Sequence, residues 1–594
     1  MIKTILTLTA LVLALCSTTV TRADIFEWEY IDPADPGQGK RESSTLVPGG
    51  AGRDAVPGAD LNGRNLTRAY LIDTDLSHAN FRFATLTDAD LTGAEIFDAN
   101  LSFTTFRGFT ASQLYSTASY QLQNLSSIKL QDNNLSGWDF SKQNLHKADF
   151  RSALLTDANL NQANLADTNF DSASLLKADL KRANLTNANF SFALLTNSDI
   201  KQAKLTNATF NFAMLNKADL SQVNATNAFF IFATLLNANL RQANLSKADF
   251  NRATLTDADL TGAKILGTNF ANTTSNGFTE SQLYSTASYR SQNLSGIGMF
   301  ANNLNGWNFA GQNLTNAIFD RATLTNTDLT GAEVRWASFW GATFVGFTAS
   351  QLYSTSSYQS QDLTGISLSR NDLSGWNFSG LKITNADISR STLTNADLSG
   401  ADLRGTFISN LNDAIVSNLI GPDGIIDGLN LSGGQTLLVR DYDGNPDAFT
   451  PIDSIPLTVE QQFVMEAGGN LQLRFEADAW GSTISFAPGI PVALGGTLSL
   501  EFAADVELGS QVGRTLDLFD WTGVVPTGAF TVESPYVWDL SELYSTGEAT
   551  LLAIPEPSTS LLLLFAAALL FGSHLHRIGN HSQVHEQQSN FTQR

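Results

Sequence analysis

A solenoid of short repeats, broken by three short helices and followed by a smaller β-rich domain, is the fold that this sequence predicts. Three observations carry the prediction. A large apolar residue returns at every fifth position from residue 59 to residue 410, as in Leu61, Leu66, Leu71, Leu76, Phe81 and Leu86. Two residues before it stands a small one, such as Ala79, Ala89, Ala148 or Ala158, with Asp or Asn between. Near-copies of a single motif interrupt this beat at 108–115, 277–284 and 346–353. A period of five matches neither the helix nor the strand rhythm. A fixed short repeat sustained over about 350 residues means stacked coils instead.

Ahead of the repeats, residues 1–23 read as a secretory signal: Lys3 supplies the positive start, Ile5 to Leu15 the apolar core, and Thr21, Arg22 and Ala23 the exit. The only cysteine, Cys16, lies in that run, so disulfides and thiolate metal sites are not expected in the mature chain. Residues 24–58, rich in Pro and Gly, form an irregular lead-in.

The repeat body spans 59–410. Its pattern, Ala-(Asp/Asn)-(Leu/Phe)-(Ser/Thr)-x, resembles the pentapeptide repeat family over about 60 units. The resemblance implies an all-β, right-handed quadrilateral β-helix with four pentapeptides per coil, the large central residue and the small one before it facing inward. One large and one small side chain per side suit a narrow square shaft. About 15 coils at strand spacing give roughly 70 Å of length. Outward Asn at 159, 164, 169, 184 and 189 would stack into side-chain ladders. Gly63, Gly93, Gly262, Gly331 and Gly400 suit tight corners.

The three motifs predict one helix of about ten residues each, near 109–121, 278–290 and 347–359. Thr110, Thr279 and Thr348 are placed as N-caps, Gln113, Gln282 and Gln351 complete capping boxes, and Phe109, Phe278 and Phe347 pair with Leu114, Leu283 and Leu352 as staples. After each helix the small slot is overfilled, by Ile128, Ile297 or Ile366 and then by Trp138, Trp307 or Trp376. An indole cannot enter a methyl-sized slot without overpacking. The expectation is a shaft widened there, with Trp and Ile packed beside the helix. If each insertion advances the chain by two sides, all three leave the shaft from one side. Tyr115, Trp138, Tyr284, Trp307, Tyr353 and Trp376 are thus the candidate interaction stations.

From 411 to 553 the beat ends. Period-two runs such as Leu471 to Glu476 and Thr497 to Phe502, separated by Gly pairs, suggest an antiparallel β domain or a β-helix continued in another register. The turn from Asp441 to Asp447 has alternating oxygen donors that Ca²⁺ could use, but it lacks the distal bidentate Glu, so it reads as a polar turn. At 554–577, Pro555, Glu556 and Pro557, an apolar run from Leu561 to Phe571 and the end His574, His576 and Arg577 resemble the PEP-CTERM sorting signal. That resemblance implies an exosortase-type sorting enzyme as partner and at least transient membrane contact through the apolar segment. A polar tail, 578–594, follows.

Charge bounds the function. The net charge is −22, yet the repeat body carries about 28 acidic and about 25 basic residues, while 411–557 carries about 21 against about 3. Nucleic-acid binding is excluded for want of basic surface. No Gly-rich phosphate loop, His-ligated metal centre or catalytic constellation stands out, so neither enzyme activity nor a cofactor is expected. The sequence therefore reads as an exported, non-enzymatic scaffold at the cell surface or in the extracellular matrix. A surface polysaccharide or a protein is the ligand class, its identity left open. The alternative, a DNA mimic that inhibits a topoisomerase, fits the near-neutral body and the export signal poorly.

Overall fold

Each five-residue unit makes one side of a coil. In the computed structural model, which describes residues 24–442, 455–476, 480–504 and 506–555, the residue before each large apolar one forms a parallel bridge to the residue twenty positions on, as in Asn144 to Asn164 to Asn184. Four units therefore close one turn. The apolar residue sends its N–H up to the next coil (Leu165 N to Asn184 O, 2.7 Å), and the bridging residue sends its own down (Asn164 N to Gln143 O, 2.9 Å). The large and small inward residues are almost wholly buried. Each large one contributes about 1.5–3 kcal/mol by leaving water.

The corner comes two residues after the centre, and there the backbone turns left-handed. Gly63 and Gly93 adopt φ of 66° and 70°, and Asn187, Asn207 and Asn227 adopt 58°, 58° and 57°. Gly and Asn suit this region, whereas bulky residues do not. Amide side chains form ladders along the outside: Asn184 donates to Asn164 and Asn164 to Asn144, at 2.9 Å each. Gln202 donates to Gln222 and Gln222 to Gln242, at 2.7 and 3.0 Å.

The described residues divide into two compact units, the first made of those up to Leu373 with Asp387–Thr392, the second of Ser374–Ala386 with those from Leu393 onward. In the first, strands β1 (Asp24–Tyr30) and β2 (Lys40–Ala51) form an antiparallel hairpin. The hairpin bonds to the first coil through Trp28 N to Arg68 O and Tyr70 N to Phe26 O, so it covers an edge that would otherwise be unpaired.

Each insertion contains two short helices where one was expected: α1 (Ala111–Ser116) and α2 (Ala118–Gln121), α3 (Glu280–Ser285) and α4 (Ala287–Arg290), α5 (Ala349–Tyr353) and α6 (Ser356–Gln359). The cause of the break is visible at Thr117, which is extended at φ −69° and ψ 148°. Its hydroxyl donates to Leu114 O and accepts from Tyr120 N, ending α1 and capping α2. Capping boxes are present at Thr110/Gln113, Thr279/Gln282 and Thr348/Gln351.

The second unit holds the last coils of the repeat and a β-helix of another kind. Its coils give one strand each to three parallel sheets, so the expected antiparallel pairing is corrected to parallel. The first sheet is β3 (Ile425–Ile426), β6 (Leu457–Val459), β9 (Ile484–Phe486) and β13 (Phe519–Asp520). The second is β4 (Leu429–Leu431), β7 (Phe463–Met465), β10 (Val492–Leu494) and β14 (Thr527–Gly528). The third is β5 (Thr436–Arg440), β8 (Asn470–Phe475), β11 (Thr497–Phe502) and β15 (Thr531–Glu533). Among the described residues of this unit, only β12 (Thr515–Asp517), β16 (Val537–Asp539) and β17 (Glu548–Ala553) pair antiparallel. Alternating residues such as Leu471, Leu473 and Phe475 fill the interior.

A buried ionic cluster joins the last repeat coils of this unit to its β-helix. Arg404, with no exposed surface, grips Asp402 through Nε (3.0 Å) and Nη2 (2.6 Å), and donates to Ser482 Oγ (2.8 Å) and to Arg440 O (2.9 Å). Lys382 and Arg440 flank Glu476 at 3.0 and 3.5 Å. Gly405 lies alongside at φ 71°, where a Cβ would collide with the Asn385 side chain and the Tyr442 hydroxyl.

Candidate interaction surface

An insertion removes two sides of a square coil, and the motif sequence repairs the gap. The chain leaves the ladder after Leu101, Phe270 or Phe339 and rejoins it at Leu125, Leu294 or Leu363. Bridges then resume from Asn100 to Lys129, Asn269 to Gly298 and Ser338 to Ser367, one coil later on the same ladder. The three insertions therefore leave the shaft from one common side.

Backbone groups stranded by the missing sides find side-chain partners. Asn133, Asn302 and Asn371 donate from Nδ2 to Leu101 O, Phe270 O and Phe339 O (2.8–2.9 Å), while their Oδ1 atoms accept from the N–H of Thr105, Thr274 and Thr343. Those threonine hydroxyls accept from the N–H of Asn134, Asn303 and Asp372. Tyr115 accepts from Asp139 N (2.5 Å) and Tyr120 donates to Asp139 O (2.9 Å); Tyr284 and Tyr289 hold Asn308 in the same way at 2.6 and 3.0 Å. Each capping-box glutamine has a second task. Gln113, Gln282 and Gln351 each donate from Nε2 to two shaft carbonyls at 2.7 and 2.8 Å.

The aromatic residues fill the hole that remains. Phe278 stacks on Phe270 and Phe347 on Phe339, each at 4.6 Å, extending the interior column. Trp138 and Trp307 are only 8 % and 7 % exposed and pack against Phe109 (5.7 Å) and Phe278 (5.8 Å). The overfilled slots thus lie beneath the insertions. Tyr353 packs on Tyr358 at 4.5 Å, and Trp376, in the second unit, is buried against Phe378 at 6.1 Å. Of the candidate stations, Trp138, Trp307 and Trp376 are buried braces, while Tyr115, Tyr284 and Tyr353 are half-buried.

Burial pushes the Tyr120 phenol up to about 12, with Asp139 and Tyr115 adding to it. Burial, with Tyr353 beside it, does the same to Tyr358. Against an unfolded value of about 10, the stabilisation from these phenols is complete below pH about 10 and lost as pH rises through about 12. The insertions are expected to loosen in that window, with phenolate absorbance and the near-ultraviolet circular dichroism changing together. Phenols that all ionise near pH 10 with no change in dichroism would contradict this.

The outward surface differs from corner to corner. One corner, immediately after the side from which the insertions leave, carries Phe83, Phe103, Phe192, Phe212 and Phe232, all left-handed and all the phenylalanines in that conformation among the described residues. Phe83 and Phe103 stack at 4.5 Å with Arg82 beside them, and Arg321 and Arg370 flank Trp340 on the same edge. Phe192, Phe212 and Phe232 stack at 5.1 and 5.0 Å and are 57 %, 48 % and 39 % exposed, beside exposed Leu194 and Met214. The signal that could have found this row was Phe at the corner position of three successive coils, where Asn or Gly is the easier choice.

Among the described residues no cluster of His, Cys, Asp and Glu is placed to hold a metal ion. None of their helices is long and apolar enough to cross a membrane. Pro555 ends the described chain, and Glu556, Pro557, the apolar run, residues 1–23 and most of the Asp441–Asp447 turn lie outside the described residues.

Comparison with known proteins places these coils. The family model described as pentapeptide repeats matches eight copies, over 58–93, 74–110, 124–162, 163–202, 203–242, 233–272, 303–341 and 372–410. A pentapeptide repeat protein from the Arabidopsis thaliana thylakoid lumen is 37 % identical over 17 % of this chain and 67 % of its own, with a TM-score of 0.14. HetL, a pentapeptide repeat protein involved in heterocyst differentiation regulation in the cyanobacterium Nostoc sp. strain PCC 7120, is 22 % identical over 50 % of this chain and 89 % of its own, with a TM-score of 0.13. Full-length QnrB1, a plasmid-mediated fluoroquinolone resistance protein, is 14 % identical over 48 % and 94 %, with a TM-score of 0.11. No curated protein matches the chain.

Proposed function

The chain belongs to the pentapeptide repeat family, and from that premise we propose that it is an exported, non-enzymatic scaffold of the cell surface or extracellular matrix, sorted by an exosortase-type enzyme. The observation that carries the reading is the outward surface of the coils. Two of its ladders, Gln202–Gln222–Gln242 and Asn187–Asn207–Asn227, are amide on amide. Such a surface supplies length and regular spacing without a reacting group. A DNA mimic needs rows of carboxylates at phosphate-like density; the row Asp179–Asp199–Asp219 stacks carboxylates, but Lys181 pairs with both Asp179 and Asp199 and offsets their charge. The Pro555-Glu556-Pro557 motif and the leading apolar segment support export and sorting.

Fractionation of native cells with mass spectrometry of the C-terminus tests this. The expected result is protein in the envelope or medium, with a new C-terminus near Pro555 to Pro557. A full-length chain found only in the cytoplasm would overturn export.

A further inference from the structure

We infer that the ridge of Phe192, Phe212 and Phe232 is a self-association surface, taken by the same ridge of a second copy of this chain running antiparallel. The first ground is conformational. A bulky aromatic in the left-handed region is an outlier, and here three successive coils carry one, at φ of 59°, 60° and 56°. The coil itself does not require Phe there, since Asn187, Asn207 and Asn227 make the same turn on another edge. Local strain kept at an exposed position points to a role other than folding.

The second ground is chemical. The ring faces stack on one another within the ridge, so the outward surface consists of ring edges, with Leu194 and Met214 beside them. That leaves no open ring face for a sugar to lie on and no hydrogen-bonding group in the ridge itself. It suits an apolar partner.

The third ground is charge, and it selects the partner. Arg252 bounds the ridge at one end, its guanidinium 5.3 Å from the Phe232 ring. At the other end the corner below Phe192 is Ser172, whose hydroxyl donates to the carboxylate of the adjacent Asp171 at 3.3 Å. A two-fold axis through Phe212 sets Phe192 of one copy level with Phe232 of the other, and Arg252 level with the coil that carries Asp171. The apolar ridge is then closed at both ends by opposite charges, as an isologous contact requires. A ridge of three coils is small beside the roughly 800 Å² per partner of a standard interface, so the association is reversible. It needs neither export nor sorting, and its test is independent of theirs.

The test is sedimentation velocity of the full chain over a range of concentrations. The expected result is a monomer–dimer equilibrium, weakened at least tenfold by Phe212→Asn. That substitution eases the left-handed turn, so unchanged far-ultraviolet circular dichroism will show that the coils are intact. Arg252→Asp alone is expected to weaken the dimer, and Arg252→Asp with Asp171→Arg to restore it. A chain that is monomeric at every concentration, or association indifferent to Phe212→Asn, as self-assembly through the C-terminal apolar run would be, overturns the inference. So does a charge exchange that fails to restore the dimer, or a ridge whose loss abolishes only binding to phosphatidylcholine vesicles.

Discussion

Replacing Asp402 with Ala is expected to destabilise the second unit by about 3–5 kcal/mol, the cost of leaving a buried charge without its partner. Arg404 has no exposed surface, and Asp402 takes two of its nitrogens. Without the carboxylate, a guanidinium stays buried between the last repeat coils of that unit and Ser482. Arg404→Lys would not rescue the arrangement, because an ammonium cannot present the fork that reaches Asp402, Ser482 and the Arg440 carbonyl together. The measurement is the denaturant midpoint together with hydrogen exchange across 429–440 and 470–476. The exposed pair Arg151 and Asp149, 2.8 Å apart, is the comparison. Breaking it should cost no more than about 1 kcal/mol. Equal effects from the two pairs would refute the role given to the cluster.

Phe210→Ala is expected to have the second large effect, about 3–5 kcal/mol. The ring stacks between Phe190 at 4.8 Å and Phe230 at 4.9 Å, in a column running from Phe150 to Phe278. Truncation would leave a void that the ladders above and below keep from closing. Because each coil touches only its neighbours, the damage should be local. Hydrogen exchange should rise in 185–235 and stay low near 140–160. Phe212→Asn, on the outside of the same coil, should leave exchange in both segments unchanged. Loss of protection along the entire column would show that the coils open as one unit.

The five-residue beat made the side of the coil legible, because position within the unit alone decides which residue turns inward. The capping boxes were legible for the same reason: Thr110 and Gln113 are three residues apart, and their chemistry is local. The second role of Gln113 was not. Its targets, the carbonyls of Leu86 and Ala89, become available only because the next coil lacks two sides. Asn133 was missed on the same ground, since it binds a carbonyl 32 residues away. Trp138 announced overfilling, and its small exposure follows from that, but nothing in the sequence said that the adjoining tyrosines would be tied to backbone. The β-helix of the second unit was hidden because its strands recur at unequal intervals, with first strands at Ile425, Leu457, Ile484 and Phe519. The ionic cluster needs Asp402 and Ser482 to meet, and no local pattern encodes that.

The return of every insertion to the ladder it left has a consequence for how such a chain can change. A helix pair that re-enters in phase behaves as a cassette. It can be gained, lost or copied at any coil without shifting a single downstream side chain from inside to outside. The runs between cassettes have no such freedom, because they must change by whole coils. Growth of this kind lengthens the molecule while keeping every corner aligned, so a row of side chains acquired on one corner stays a row.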